Sequence, residues 1–509
     1  MAIDPPLVSS PTPSFKRAAK VDIGHVQLRD VLICPRRRGV LNYVKGNSIV
    51  ECDLQNPYSS PRTLVKLLFQ PTTVSALPLD SGSEHTLIAA GGMTGDLHLS
   101  LHCPTSPAMK SKPVWRFDDQ LGRSINNSIL LTSLSLTGSN ESRVEPRMVV
   151  SNNDNVVQFF DVPIRSSPAE IRQTGAVSFN VPINHSSISP DGRTMLSVGD
   201  SSKVFLHRLT GGASVTAAPI ATLALPPLSD PSVSPALVAC FSSAFSSDGS
   251  KYAVASQDGS VIVWDVRSTR PLKVFRTNKS RPIPHGAWYS EDPQDWNSAN
   301  TPGPGWSTRS VKFGGPPGRE LMLFTEHTSL IHVVDARTFE TEEILCMPQF
   351  TEKRSPQQFS PPSLTPSFPA TRARSPYAHR HYDVRSTLEE TFRIPSADDI
   401  LLIPHLGDPS VERDLQMVLG PGLIPEDGIF ARSSELPLPE MEVMREECSR
   451  TPFPDCSGPP GPVDHCDIAG ACFDPSGAHI YAASVHGVAE WGVRGANKRW
   501  WVDSDDWQR

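Results

Sequence analysis

The sequence lacks three features that would assign it to a large class of proteins. Its 509 residues contain no apolar run near the roughly 20 residues needed to span a bilayer, so we expect no membrane partner. The first residues, MAIDPPLVSSPTPS, contain neither a basic nor an apolar stretch, so we expect no secretory signal. The formal net charge is only −7, which argues against a dedicated nucleic-acid binder.

Motifs of common catalytic sites are also missing. The sequence has no Gly-x-x-x-x-Gly-Lys-Ser/Thr phosphate loop, no Gly-x-Ser-x-Gly elbow and no His-Glu-x-x-His helix. Its 15 histidines are dispersed, and no cluster of acid and base side chains stands out. We therefore expect no catalytic residues, no cofactor and no enzymatic activity.

The nine cysteines form no Cys-x-x-Cys pair. The densest group contains Cys448, Cys456, Cys466 and Cys472, with His465 beside it. Since Cys472 lies in a predicted strand, buried or free thiols are favoured over a zinc site, and we expect no metal. Scattered cysteines in odd number are typical of reduced thiols, so we expect a cytoplasmic or nuclear protein.

A repeat is the main feature that the sequence does contain. Short apolar runs recur, several end in an acidic residue, and a turn precedes each one. Asp53 and Asp161 are 108 residues apart, and Asp161 and Asp265 are 104 apart, which gives two units of about 50 residues in each interval. The runs predict seven third strands, which end near Asp53, Leu101, Asp161, His207, Asp265, Asp335 and Trp491.

Each run follows a second strand and a tight turn. FSSAFSSDGSKYAVAS precedes SVIVWDV, and INHSSISPDGRTMLSV precedes KVFLHRL. Asp-Gly turns join strands closely because both residues tolerate positive φ. An outer segment such as PLKVFRT or ETEEILCM comes next. The pattern predicts an all-β protein in which about seven four-stranded units stack into a closed ring.

The units resemble WD repeats over about Val21–Pro348 and Asp464–Trp507, which implies a seven-bladed β-propeller. One unit carries the family dipeptide, as Trp264-Asp265, and most units lack the His of the Gly-His pair. A β-sandwich is the alternative architecture. A single sandwich contains about seven strands in total, whereas this sequence predicts seven triplets of strands.

Narrower resemblances point to fungal proteins. RELMLFTEHTSLIHVVDARTFETEEIL resembles a short domain of unknown function in fungal WD-repeat proteins, and GACFDPSGAHIYAASVHGVAEWGVRGANKRWW resembles their C-terminal end. VQLRDVLICPRRRGVLNYVKGNSIVECDL resembles the first blade of related plant proteins. These proteins have no well-defined activity, so the resemblance adds to the fold prediction and names no mechanism.

The sixteen residues YAVASQDGSVIVWDVR resemble the box of WD-repeat substrate receptors of cullin-RING ubiquitin ligases. In that family the Arg after Trp-Asp-x contacts the adaptor propeller. The resemblance implies docking through Trp264, Asp265, Val266 and Arg267, with Asp258 at the acidic position. In the alternative interpretation Asp258 and Asp265 brace turns, Trp264 packs between blades, and Arg267 is solvated.

The chain divides into four parts. We predict a disordered tail over residues 1–20, six blades over 21–348, a Pro/Ser-rich and mostly disordered insertion over 349–463, and the last blade with ring closure over 464–509. We expect the strand-like segments Gly24–Pro35 and Lys498–Asp503 to meet at the closure. Four residues of the insertion directly precede proline and are candidate phosphorylation sites: Ser355, Ser360, Thr365 and Ser375.

These observations favour a non-catalytic scaffold that binds other proteins, as a monomer or within a hetero-complex. A ligase substrate receptor that docks on a cullin-RING adaptor is the alternative. A propeller enzyme with a site at the central channel is a second alternative, although no residue cluster indicates one.

The composition of the insertion leads to a first testable prediction. We expect Glu352–Arg385 to lack regular structure and to be the first segment cut by a protease. Its deletion should change the melting temperature little, because the entropy of loop closure grows slowly with loop length. Limited proteolysis and melting curves of the two proteins measure this, and a large loss of stability would mean that the segment packs on the ring.

Overall fold

The computed structural model describes residues 6–56, 58–79, 85–103, 113–133, 146–226, 238–280, 303–350 and 466–496. These residues form seven four-stranded antiparallel sheets. No helix in these ranges is long and apolar enough to cross a membrane. The first strands of neighbouring sheets contact each other all the way round, including the first sheet with the last, so the sheets are blades around one axis. This confirms the prediction of an all-β, seven-bladed β-propeller.

Strands are numbered in chain order, and blades 1 to 6 are built from consecutive strands. Blades 1 and 2 contain β2 Leu32–Ile33, β3 Val40–Lys45, β4 Ser48–Asp53 and β5 Arg62–Lys66, then β6 Thr73–Pro78, β7 Thr86–Gly91, β8 Asp96–His102 and β9 Trp115–Gln120. Blades 3 and 4 contain β10 Asn126–Thr132, β11 Arg147–Asn152, β12 Val156–Asp161 and β13 Arg172–Ser178, then β14 Ile183–Ile188, β15 Thr194–Gly199, β16 Lys203–Gly211 and β17 Val215–Ala224.

Blades 5 and 6 contain β18 Cys240–Phe245, β19 Lys251–Ser256, β20 Ser260–Asp265 and β21 Pro271–Arg276, then β22 Thr308–Gly314, β23 Leu321–Glu326, β24 Leu330–Asp335 and β25 Glu342–Cys346. Blade 7 contains β26 Ile468–Phe473, β27 His479–Ser484 and β28 Gly487–Gly492, and its fourth strand is β1 Phe15–Ala18.

The third strands lie where the repeat predicts them. Four of the seven end at the predicted residue, and β8 and β28 end one residue after Leu101 and Trp491. In blade 4, β16 continues four residues past His207 to Gly211, because its hairpin with β17 is longer than those of the other blades.

The Asp-Gly turns have the geometry that their residues favour. In blade 5, Asp248 Oδ1 accepts hydrogen bonds from the Ser246 hydroxyl (2.6 Å) and from the backbone N–H of Ser250 (2.9 Å). Gly249 has φ of 70°, a left-handed conformation that glycine adopts at little cost. The Ser189–Gly192 turn of blade 4 repeats the bond from Ser to Asp (2.6 Å), which is why the SPDG and SSDG sequences recur.

The hydrophobic core is distributed between the blades. Each cluster of buried side chains is formed by neighbouring blades, as where Leu196 and Val204 of blade 4 pack against Tyr252 and Trp264 of blade 5. Both faces of a blade are therefore buried, and removing a blade would expose apolar surface on two others.

The closure of the ring differs from the prediction. β1 pairs antiparallel with β28, from Phe15 opposite Glu490 to Ala18 opposite Gly487, and so completes blade 7 from the N-terminal side. The expected disordered tail over residues 1–20 is therefore wrong for the described residues from 6 onward. The expected closure by Gly24–Pro35 is also wrong, because its strand, β2, is the first strand of blade 1. Lys498–Asp503 lies outside the described residues.

The connection between blades 6 and 7 contains the predicted insertion. Residues 351–465, which include the four candidate phosphorylation sites, lie outside the described residues and follow β25 in the chain. Six cysteines in the described part have free thiols, as expected: Cys34, Cys52, Cys103, Cys240, Cys466 and Cys472.

A buried carboxylate fastens the closure. Glu490 in β28 accepts hydrogen bonds from Arg38 Nη2 (2.7 Å), from the Tyr481 hydroxyl (2.8 Å) and from the Ser14 hydroxyl (3.0 Å). Its side chain is fully buried. Burial raises the pKa of Glu490, but the hydrogen bonds from Arg38, Tyr481 and Ser14 outweigh burial and lower it. This closure clasp, defined as Ser14, Arg38, Tyr481 and Glu490, joins the N-terminal segment, blade 1 and blade 7.

The closure clasp leads to a prediction of stability. Glu490→Ala should lower the free energy of unfolding by about 2–3 kcal/mol, because three donors lose a shared buried acceptor. As a matched control, Glu51→Ala removes a half-exposed ion pair with Arg62 and should cost less than about 1 kcal/mol. Denaturant unfolding of both variants measures this, and equal losses would contradict the special role of Glu490.

Candidate functional site

The candidate docking turn follows β20. Arg267 lies two residues beyond the end of that strand, and its side chain is 83% exposed. Its Nε and Nη2 donate to the two carboxylate oxygens of Asp265, at 2.9 and 2.7 Å. The hydrogen bonds from Arg267 hold the pKa of Asp265 well below its usual range. The guanidinium is therefore at the rim of the ring, as the box implies, but it is paired within its own turn.

Two other residues of the box have structural surroundings. Trp264 is fully buried and stacks on Tyr252, with ring centroids 5.4 Å apart. The buried Asp258 accepts hydrogen bonds from the backbone N–H (3.1 Å) and the hydroxyl (2.9 Å) of Ser260. Among these side chains, only Arg267 and the half-exposed Val266 are open to a partner, and adaptor docking stays a prediction.

Blade 6 contains an equivalent turn that the sequence reasoning did not single out. Asp335 ends β24, and Arg337 follows at the same spacing as Arg267 after Asp265. Asp335 Oδ1 accepts from the backbone N–H of Arg337 (3.0 Å), and its Oδ2 accepts from the Thr338 hydroxyl (3.2 Å). The signal was the Asp-x-Arg pattern after the run SLIHVVD. Both turns lie on the face formed by the turns that connect first to second and third to fourth strands, which we call the Arg267 face.

A network in blade 2 has the hydrogen-bond order of a catalytic triad. His98 Nδ1 is 2.7 Å from Asp118 Oδ1, and His98 Nε2 is 2.9 Å from the Ser100 hydroxyl. Ser100 also lies 2.8 Å from Nε2 of His102. Since His98 and Ser100 are fully buried, the hydroxyl has no open side toward a substrate, and the network braces β8 against β9.

The central channel contains the other dense group of polar side chains. Arg29 Nη2 lies 2.9 Å from Nε2 of His327, and Arg309 Nη2 lies 3.3 Å from Nδ1 of the same ring. Guanidinium groups only donate, so Nε2 accepts from Arg29, while Nδ1 lies between the Arg309 guanidinium and the Gly303 carbonyl, 3.1 Å away. Burial and then Arg309 lower the pKa of His327 to about 4, which favours the neutral ring.

Further along the channel, Lys312 Nζ pairs with Asp30 at 2.7 Å. Burial lowers the pKa of the nearby His185 to about 4, despite the charge of Asp30. The cavity that these residues line, with Asn127 of blade 3, measures only about 20 Å³, which is room for about one water. The arrangement is a polar packing of the inner strands of several blades.

Blade 6 encloses a histidine between two carboxylates. His332 Nδ1 lies 2.7 Å from Glu342, and its Nε2 lies 3.1 Å from Glu326. Phe324 stacks on the ring with centroids 4.2 Å apart. Burial lowers the pKa of His332, but the hydrogen bonds to Glu326 and Glu342 outweigh burial and raise it to about 9. The imidazole is therefore charged at neutral pH, and both glutamates use it as a counterion.

Two comparisons with known proteins bear on these sites. A family model described as an uncharacterised protein domain, DUF2415, matches residues 307–346, and these residues include all four strands of blade 6. The uncharacterized protein C4G3.03 of Schizosaccharomyces pombe (strain 972 / ATCC 24843) is 27% identical over 274 residues. The match covers 53% of this chain and 63% of that relative, which is less than two thirds of its length. The chain is thus similar to a fungal protein, as the narrower resemblances imply.

The raised pKa of His332 predicts a pH dependence of stability. The charged histidine stabilises the fold fully below its ordinary pKa near 6.5, and this contribution is lost as pH rises through about 9. The free energy of unfolding should therefore fall by roughly 2–3 kcal/mol between pH 6.5 and pH 9.5. Urea unfolding across this range measures the decline.

Substitutions of single residues test whether His332 causes this decline in stability. His332→Gln should remove the decline, whereas His486→Gln, at an exposed histidine, should keep it. If His332→Gln does not fold, Glu342→Gln should move the decline to lower pH, because it removes one of the two counterions. A decline that is the same in all these proteins would show that other groups cause it.

Proposed function

We propose that this protein is a non-catalytic protein-interaction scaffold of the WD-repeat type. The observation that carries the proposal is the closed ring, in which every blade packs on two neighbours and the closure clasp fastens the ends. A rigid ring presents the turns of all its blades in fixed positions, which suits simultaneous contacts with a partner protein. The narrow channel cavity supports binding on the faces of the ring.

Affinity purification tests the scaffold proposal. The full chain, tagged and expressed at its natural level, should copurify with one or more proteins in fixed ratio, and mass spectrometry identifies them. Glu490→Ala serves as the matched variant, because a weakened closure should reduce recovery of every partner that reads several blades. Recovery of the chain alone under mild, low-salt conditions would contradict the scaffold proposal.

The second candidate is a substrate receptor of a cullin-RING ubiquitin ligase, and the exposure of Arg267 beside the end of β20 favours it. An adaptor that binds Arg267 has to share or replace the pairing with Asp265. Arg267→Ala should therefore abolish recovery of the adaptor while stability changes within about 0.5 kcal/mol. If Arg267→Ala recovers as much adaptor as the wild-type protein, or if the wild-type protein recovers none, the receptor proposal fails and the scaffold proposal remains.

A further inference from the structure

A groove opens on the Arg267 face where blades 5, 6 and 7 meet. The turn after β18, the Gly-Gly-Pro-Pro-Gly segment after β22 and the turn after β26 form its walls. Its volume is about 630 Å³, and its lining includes Asp248, Pro316, Pro317, Glu320, Arg337 and Pro475. The groove thus combines three proline rings with a few charged side chains at its edges.

The acidic groups of the groove are already bonded inside the protein. Asp248 accepts hydrogen bonds from Ser246 and Ser250, and these lower its pKa to about 2. Glu320 Oε1 accepts from the backbone N–H of Ser247 at 2.5 Å. Each carboxylate accepts from neutral donors of the groove wall, which orients its oxygens without cancelling its charge.

The basic groups of the groove differ from each other. Arg319 donates to the carbonyls of Arg494 (2.6 Å) and Pro6 (3.2 Å), so its guanidinium is held in the wall. The side chain of Arg337 is exposed, and its guanidinium has no hydrogen-bond or ion-pair partner in the part of the chain that the structure describes. Asp335 Oδ2 accepts from the Thr338 hydroxyl, whereas in blade 5 the equivalent oxygen of Asp265 accepts from the Arg267 guanidinium. Of the two arginines, Arg337 is therefore the one whose guanidinium is left to pair with a ligand.

We propose that this groove binds an extended acidic segment of a partner protein, with a carboxylate of the segment paired to Arg337. A guanidinium binds a carboxylate through two parallel hydrogen bonds, which fixes the position of the segment. The rings of Pro316, Pro317 and Pro475 offer rigid apolar surface for residues beside the carboxylate. The chain carries net charge −7, so the attraction is a short-range pair and not a long-range field.

This inference rests on the proposed scaffold function and names the chemistry of one partner. It assigns the anion contact to Arg337, whereas the box resemblance assigns docking to Arg267. The two residues lie in equivalent turns of neighbouring blades and differ in whether their own aspartate neutralises them.

Selection from a phage-displayed library of random twelve-residue peptides tests the proposal on the full chain. Peptides that bind wild-type protein and compete with each other for the same site should share an Asp or Glu. Fluorescence anisotropy should then show that Arg337→Ala raises the Kd of such a peptide roughly 10-fold or more. Arg276→Ala is the matched control, since Arg276 is an exposed arginine at the opposite end of blade 5, and it should leave the Kd unchanged.

A second peptide with Asn or Gln in place of the acidic residue completes the test. It should bind wild-type protein as weakly as the acidic peptide binds Arg337→Ala, and the two changes together should add nothing further. The proposal is overturned if the selected peptides lack acidic residues, if Arg337→Ala binds them as wild type does, or if Arg276→Ala weakens them equally. Melting curves of the variants confirm that each is folded.

The outcomes separate this inference from the proposed function. If copurified proteins are recovered equally with wild type and Arg337→Ala, the scaffold stands and the groove proposal fails. If the peptides bind as expected but no protein copurifies with the full chain, the groove is a binding site and the scaffold proposal fails. Self-association that depends on Arg337, measured by sedimentation, would identify the occupant as a second copy and overturn the proposal of a separate partner.

Discussion

The whole ring depends on four residues near its N-terminal end. Phe15–Ala18 supplies the fourth strand of the last blade, and without it β28 would present an open edge to solvent. The carboxylate of Glu490 then joins Ser14, which directly precedes this strand, to Arg38 in blade 1. Since each blade buries its faces against two neighbours, a ring that opens at this point loses support at blades 1 and 7 together. Closure thus converts seven weakly stable sheets into one rigid body.

Rigidity gives the turns their functional value. A turn such as that of Arg267 or Arg337 is only a few residues long, and alone it would adopt many conformations. Fixed between packed strands, it presents its guanidinium at a constant place relative to the turns of the next blade. The internal polar networks, at His98, His327 and His332, contribute in another way, because they satisfy polar groups buried between strands and blades.

The DUF2415 match takes on a structural meaning in this fold. Its residues, 307–346, include the strands of one blade, and two clusters of buried side chains join that blade to blades 5 and 7. A single four-stranded blade is apolar on both faces, so it does not form a core alone. The matched segment is therefore a part of the ring, and its pair of glutamates around His332 is a local feature of that part.

The sequence by itself determined the strand triplets, the positions of the third strands and the Asp-Gly turns. These features are local, because each acts within a few positions of the chain. They are the alternation of apolar residues, the residues that tolerate positive φ, and the aspartate that accepts hydrogen bonds within its own turn. The same reasoning placed the candidate arginine directly after β20, where the structure has it exposed.

Only the tertiary structure decided which segment closes the ring and which arginine is available. FKRA is too short and too polar to predict a strand, and it becomes one because β28 offers it an unpaired edge. Arg267 and Arg337 have the same spacing from an aspartate, so the sequence does not distinguish them. They differ in the folded turns: Asp335 Oδ2 accepts from the Thr338 hydroxyl, whereas both oxygens of Asp265 accept from the guanidinium of Arg267. Which donor a carboxylate accepts from depends on side-chain positions that only the folded turn fixes.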